Sequence, residues 1–123
     1  MLDVEDGRWY QLSIANQESF KSKRFLTVSA ISRNRIVTFG GCHSEYEHLS
    51  DLDMFDLTAF IESGCVNLTV TCCKLTCLAG KGPSSRWGHS AAVYEDKVYI
   101  LGGRNSADIS DLHCLDADTM TWT

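Results

Sequence analysis

The sequence predicts an all-β fold built from repeated units, and three observations support this. Short runs of β-branched and aromatic residues follow one another along the chain, separated by charged or glycine-containing turns. Several of these runs recur at an offset of 62 residues. No stretch keeps a helical period over ten residues, and only residues 57–62 fit a single helical turn. We therefore expect successive β-hairpins.

The clearest hairpin lies in residues 88–103, GHSAAVYEDKVYILGG. Its runs SAAVY and KVYIL flank a charged segment and predict two antiparallel strands. The second strand ends on Gly102 and Gly103, which lack a Cβ and so admit positive φ and the close approach of another backbone or ring. The later runs DLHCLD and MTWT predict a third and a fourth strand, so the unit is a four-stranded sheet.

A second copy of this unit lies earlier in the chain. At the 62-residue offset, the pair Gly40-Gly41 aligns with Gly102-Gly103, and closing the register by two residues aligns Asp56 with Asp116. Each aspartate closes an apolar strand, where we expect its carboxylate to accept backbone N–H groups of the following turn.

A third alignment connects the two ends of the sequence. At an offset of 113 residues, Trp9 aligns with Trp122. If each repeat takes half of that distance, the period is near 50 residues, which is typical of propeller blades and related arrays. We expect both indoles to fill the gap between adjacent sheets.

Read in order, these features resemble the kelch-repeat family of β-propellers. They are Arg86, Gly88-His89-Ser90-Ala91, Gly102-Gly103, Asp116 and Trp122, with partial copies in Gly40-Gly41, Asp56 and Trp9. The resemblance implies four-stranded antiparallel blades around a central channel. It also implies that His89 is a structural residue, hydrogen-bonded between blades.

About two and a half repeats fit into the sequence. We expect residues 1–14 to form the outer strands of one blade and residues 15–79 a second blade, with an insertion before an outer strand at 67–75. Residues 80–123 would form a third blade, truncated in its last strand. Since propellers close with about four to eight blades, we expect the remaining blades in a larger parent protein.

Composition narrows the range of partners. The 123 residues carry a net charge of −5, which argues against binding to nucleic acid through its phosphates. No apolar run approaches the length of about 18 residues that a membrane helix needs, and the N-terminus has no signal-peptide pattern. We therefore expect a cytoplasmic or nuclear protein, without a membrane partner and with its six cysteines reduced.

Cysteines offer one alternative chemistry, a zinc site. Cys65, Cys72, Cys73 and Cys77 lie close together in sequence. Only Cys73 and Cys77 have the spacing of a ligand pair, and the adjacent Cys72 and Cys73 point to opposite faces of a strand. We expect free thiols, no metal, no cofactor and no catalytic residue.

The kelch resemblance implies that loops on one rim bind protein partners. The residues predicted to contact a partner are His43, Tyr46, His48, Arg86, Trp87, Arg104 and Asn105. The resulting prediction is a non-catalytic interaction module, most specifically a substrate receptor or adaptor of a ubiquitin ligase. The alternatives are a cytoskeletal or trafficking scaffold, and part of a propeller enzyme similar to galactose oxidase.

Overall fold

The computed structural model describes residues 2–3, 7–15, 27–31, 33–44, 47–76 and 78–123. Tyr46 and Cys77, both singled out above, lie outside these residues. The elements of the described residues are, in chain order, β1 (Leu2–Asp3), β2 (Arg8–Trp9), β3 (Ser13–Ala15), β4 (Thr27–Ile31), β5 (Arg35–Phe39), β6 (Cys42–Ser44), β7 (Glu47–His48), β8 (Leu52–Asp56), α1 (Thr58–Glu62), β9 (Thr69–Leu75), β10 (Ser90–Tyr94), β11 (Lys97–Leu101), β12 (Leu112–Asp116) and β13 (Thr121–Trp122). The prediction of a nearly all-β fold is confirmed.

The middle sheet contains five strands in the order β3-β9-β8-β5-β4. Strands β4, β5, β8 and β9 are antiparallel neighbours and correspond to one four-stranded blade. Its outer strand, β9, follows α1 and a turn, and the description of that segment as an insertion stays a prediction. The blade boundaries at residues 14/15 and 79/80 stay predictions.

The third sheet is an antiparallel meander of β10, β11, β12 and β13. Tyr94 pairs with Lys97, so the hairpin turn consists of Glu95 and Asp96 alone. Both turn residues have positive φ, 47° and 60°, as a type I′ turn requires. Lys97 therefore belongs to β11, as the run KVYIL predicts.

The segment before the middle sheet and the segment before the third sheet each pair in parallel with the outer strand of the sheet that follows. The sequence does not predict this pairing. β3 pairs in parallel with β9, the outer strand of the next sheet, and Ser13 N–H donates to Leu68 O at 2.8 Å. In the same way Ala79 forms a parallel bridge with Thr121, and Trp122 N–H donates to Ala79 O at 2.9 Å. Each of these two links therefore covers the outer edge of the sheet that follows it.

The hydrophobic core lies between the middle and the third sheet. Val37, Phe39 and Leu52 of the middle sheet pack there with residues of the third, among them Ile100 and Trp122. Residues equivalent to Phe39 and Leu52 on the third sheet face away from this core. These are Leu101 and Leu112, paired across β11 and β12, and they are 54% and 61% exposed.

Trp9 does not fill a gap between two sheets as predicted. Its side chain is 77% exposed, whereas that of Trp122 is 7% exposed. Trp122 packs edge-on against Phe39 of the preceding sheet, with ring centroids 5.8 Å apart. Trp9 belongs to the first described sheet, β1-β2, so no described sheet stands where its indole would pack.

In the described parts of the chain, no helix is long and apolar enough to cross a membrane.

Candidate functional site

The candidate site is a surface of loops at one end of the middle and third sheets, here called the loop rim. It consists of the loop 40–51, the linker 79–89 and the loop 102–111. Both loops connect the second and third strands of a sheet, where Phe39 pairs with Leu52 and Leu101 pairs with Leu112. The linker joins the two sheets and runs between these loops.

Backbone hydrogen bonds hold the linker to both loops. Arg86 O accepts from Gly41 N–H at 2.8 Å, and Arg86 N–H donates to Leu49 O at 3.0 Å. One residue later, Trp87 and Arg104 exchange two N–H···O bonds of 2.9 Å each. The linker therefore acts as a strand between the two loops, bonded on one side to the middle sheet and on the other to the third.

The guanidinium of Arg86 is completely buried and fully hydrogen-bonded. Its Nε donates to Ser84 O at 3.0 Å, while Nη1 donates to Gly102 O at 2.9 Å and to Asp111 Oδ1. Nη2 donates to Ser84 Oγ at 3.1 Å and to Asp111 Oδ2 at 3.0 Å. All five N–H donors of an arginine are thus used.

This arrangement corrects the prediction that Arg86 contacts a partner, because its side chain is 0% exposed. Its role here is to anchor the linker to the third sheet. The bonds from Arg86 hold the pKa of Asp111 well below its ordinary value, and His113, whose Nε2 lies 3.0 Å from Asp111 Oδ2, lowers it further.

The glycine pairs allow the linker to lie directly on the sheet ends. A Cβ on Gly40, whose φ is +66°, would be 2.5 Å from Arg86 O and 3.2 Å from the His89 ring. A Cβ on Gly103 would be 3.0 Å from Trp87 O and 3.0 Å from the His89 Cβ. Any side chain at these two positions would displace the linker, which explains why each strand ends on glycines.

His89 lies between the two sheets, as the kelch resemblance implies. Its side chain is buried, and its ring meets Phe39 edge-on with centroids 5.6 Å apart. Burial and the nearby charge of Arg86 lower the pKa of His89, although a hydrogen bond with the backbone of Phe39 opposes this. The ring is therefore neutral near pH 7 and belongs to the packing of the linker.

Asp56 and Asp116 form the turn hydrogen bonds that the sequence predicts. Asp56 Oδ1 accepts from Thr58 N–H at 2.9 Å, and Asp116 Oδ1 accepts from the N–H groups of Asp118 and Thr119 at 2.9 and 3.0 Å. Bonds from Thr58 lower the pKa of Asp56, and those from Thr119 and Asp118 lower that of Asp116. Both aspartates lie at the end of their sheet opposite the loop rim.

The remaining predicted contact residues differ in exposure. Arg104 is exposed, and its Nε lies 3.7 Å from the exposed carboxylate of Asp108. Asn105 is half-buried, since its Nδ2 donates to Ser85 O at 3.3 Å. Trp87, His43 and His48 are also half-buried. The contact of these residues with a partner stays a prediction.

The part of the chain that the structure describes contains no cluster of side chains that could hold a metal ion. No three His, Cys, Asp or Glu side chains among these residues converge on one point. The cysteines described are free thiols: Cys42, Cys65, Cys72, Cys73 and Cys114.

Comparison with known proteins gives a match to the whole sequence. The profile described as the KLHDC2/KLHL20/DRC7 Kelch-repeats domain matches residues 1–123. Acyl-CoA-binding domain-containing protein 4 of Arabidopsis thaliana is 46% identical over 46 residues, 37% of this chain and 7% of that protein. Host cell factor 2 of Homo sapiens is 30% identical over 102 residues, 73% of this chain and 12% of that protein. Kelch domain-containing protein 3 of Homo sapiens is 47% identical over 49 residues, 37% of this chain and 13% of that protein. The chain thus spans 7–13% of the length of these relatives.

Proposed function

Because the chain belongs to the kelch-repeat family, we propose that it is a non-catalytic protein-interaction module that binds a partner through the loop rim. The family match over residues 1–123 and the similarity to kelch domain-containing protein 3 and host cell factor 2 support this proposal. A rigid scaffold that presents loops is a common basis for protein recognition.

The observation that carries the proposal is the pairing of Trp87 with Arg104. These residues lie directly opposite each other in an antiparallel bridge, so their side chains are neighbours on the rim. The buried layer beneath them, formed by Arg86 and His89, fixes the backbone from which they project. Trp and Arg are the residue types that most often dominate the binding energy of interfaces.

The finer proposal is that this module delivers substrates to a ubiquitin ligase, with a cytoskeletal or trafficking scaffold as the alternative. The receptor role and the scaffold role would both use the loop rim to bind a protein, and they differ in the function of that bound protein. We place the protein in the cytoplasm or nucleus, where its thiols stay reduced. Co-purification of a cullin with the protein would support the ligase role, and its absence from a complex that retains other partners would favour the scaffold.

Two charge reversals, one at each end of β11, test the loop rim. Arg104 lies just beyond the rim end of β11, and Lys97 begins the same strand at the opposite end. Both side chains are exposed, so either can be changed to glutamate without disturbing the core. Partners identified by mass spectrometry and then purified should bind the wild type and Lys97→Glu equally.

Arg104→Glu should weaken these complexes about tenfold or more, as expected for an arginine anchor. Equal binding by all three proteins, measured by calorimetry, would show that the partner does not use the loop rim.

A further inference from the structure

The side-chain amide of Asn105 is hydrogen-bonded on one side to the linker and on the other to its own loop. Its Nδ2 donates to Ser85 O at 3.3 Å, which joins the loop 102–111 to the linker. Its Oδ1 accepts from the backbone N–H of Ser106 at 2.6 Å and from that of Ala107 at 3.4 Å. The Ser106 hydroxyl also donates to Oδ1, at 3.4 Å. These bonds hold the amide against the peptide group that follows it.

The backbone nitrogen of Ser106 lies close to the carbonyl carbon of this amide. Because the nitrogen is 2.6 Å from Asn105 Oδ1 and a C=O bond is about 1.2 Å long, the nitrogen lies less than about 4 Å from Asn105 Cγ. Reacting atoms held about 3–3.5 Å apart are arranged for attack. The N–H of Ala107 and the hydroxyl of Ser106 also point at the oxygen that gains negative charge when a nucleophile adds to the carbonyl, and donors placed there stabilise the intermediate.

We propose that Asn105 is a site of spontaneous deamidation. The Ser106 nitrogen loses its proton and bonds to Asn105 Cγ, the bond from Cγ to Nδ2 breaks, and ammonia leaves with that proton. Water then opens the five-membered imide at either of its two carbonyls, so the product is aspartate or isoaspartate. Water is the only co-reactant. Ser106 is small and exposed, which leaves its nitrogen open to the reaction.

Deamidation removes the bond from Asn105 to the linker and adds a charge beside the rim arginine. The product carboxylate has no N–H to donate to Ser85 O. It lies one residue from Arg104, whose Nε is 3.7 Å from the Asp108 carboxylate, beyond the length of a good hydrogen bond. The new carboxylate competes for this guanidinium and withdraws it from a bound protein. This effect on binding rests on the proposed function, whereas the reaction itself does not.

Asn67 is a matched control on the same chain. Its Oδ1 accepts from the N–H of Thr69 at 3.0 Å, so its amide is held against the nitrogen two positions on, whereas cyclisation needs the nitrogen of Leu68. The full chain is incubated at mildly alkaline pH, once folded and once in concentrated urea. Peptide mapping by mass spectrometry then follows the replacement of nitrogen by oxygen at each asparagine and separates aspartate from isoaspartate.

In urea, Asn105 should react faster than Asn67, because Ser106 hinders its own nitrogen less than Leu68 does. Folding should raise the ratio of the two rates about threefold or more, since only Asn105 is held for attack. Isoaspartate should be among the products, because direct hydrolysis of the side-chain amide does not form it. A ratio that is equal or smaller in the folded chain, or aspartate as the sole product, would overturn the proposed site.

Asn105→Asp and Asn67→Asp test the effect on binding. Asn105→Asp should weaken the complex with a purified partner about threefold or more, because it changes the charge beside Arg104, and Asn67→Asp should leave the affinity within about twofold. If a partner that Arg104→Glu weakens binds Asn105→Asp as tightly as the wild type, the effect on binding is refuted. A partner that Arg104→Glu does not weaken would instead refute the proposed function and leave the deamidation site standing.

Discussion

Arg86 and Asp111 form a two-point ion pair, in which Nη1 of the guanidinium donates to Asp111 Oδ1 and Nη2 donates to Asp111 Oδ2. The backbone of the same arginine is bonded to Gly41 and Leu49 of the middle sheet. One residue therefore joins two sheets, through its main chain on one side and its side chain on the other. This makes the pair a connection between sheets rather than a feature of one loop.

Asp111→Asn should destabilise the chain, because it leaves a buried guanidinium without its counter-charge. Breaking a fully buried pair costs about 3–5 kcal/mol, and we expect about 2–3 kcal/mol because water shares the partly exposed Asp111 carboxylate. The free energy of unfolding in urea measures the loss. Asp118→Asn is the control, since it breaks an exposed ion pair with Arg33 and should cost under about 0.5 kcal/mol. Similar losses in both variants would contradict the anchoring role.

Gly40→Ala should cost much more stability than Gly64→Ala. Both glycines have nearly the same positive φ, +66° and +67°, so the backbone strain of an alanine is about 1–2 kcal/mol in each case. Only at Gly40 would the new Cβ also strike Arg86 O, which should raise the total to about 3 kcal/mol or more. Urea unfolding of the two variants side by side is the measurement. If the losses match, the linker does not lie against Gly40.

Trp122→Ala should lower the free energy of unfolding of this chain far more than Trp9→Ala. Truncation of the buried indole of Trp122 should cost about 3–5 kcal/mol, as for other aromatic residues in cores. The exposed Trp9 should cost under about 0.5 kcal/mol. Thermal or urea unfolding shows the difference, and a large loss with Trp9→Ala would mean that its indole is buried after all.

Acidification should destabilise the chain in two ranges of pH. The folded state lowers the pKa of His89, so below the ordinary value near 6.5 the unfolded chain gains a proton that the folded ring resists. The folded state also lowers the pKa values of Asp56, Asp111 and Asp116, and their contribution is present above about pH 4 and lost as pH falls further.

His89 can be followed directly in this experiment. An NMR titration of its ring should give a midpoint below 6.5, and the slope of stability between pH 7 and 5 should be at most about 1.4 kcal/mol per pH unit for this one group. His89→Asn should flatten that slope while leaving the loss below pH 4. A midpoint at or above 6.5 would refute the assignment.

The sequence predicts well what depends on neighbouring residues. The hairpin of β10 and β11, the strand-closing Asp56 and Asp116 and the short helix near residue 58 all follow from patterns within a few positions. The glycine pairs are also predicted, since a residue without a Cβ at a strand end implies that something else approaches there.

What the sequence does not predict depends on distant residues. The burial of Arg86 requires a carboxylate 25 positions away, and an arginine in a polar loop otherwise suggests an exposed side chain. The exposure of the Trp9 side chain depends on which sheet stands beside it. The pairing of β3 joins it to β9, a strand more than 50 positions later in the sequence. No local pattern encodes such pairings.

The parallel pairing of β3 with β9 also affects how the array responds to force. A pull on the N-terminal side of β3 against the C-terminal side of β9 loads their hydrogen bonds together, along the strands, instead of opening them one after another. The bridge between Ala79 and Thr121 repeats this geometry on the next sheet. In both sheets, the hydrogen bonds to a segment of the preceding unit would therefore be loaded in shear and resist extension together.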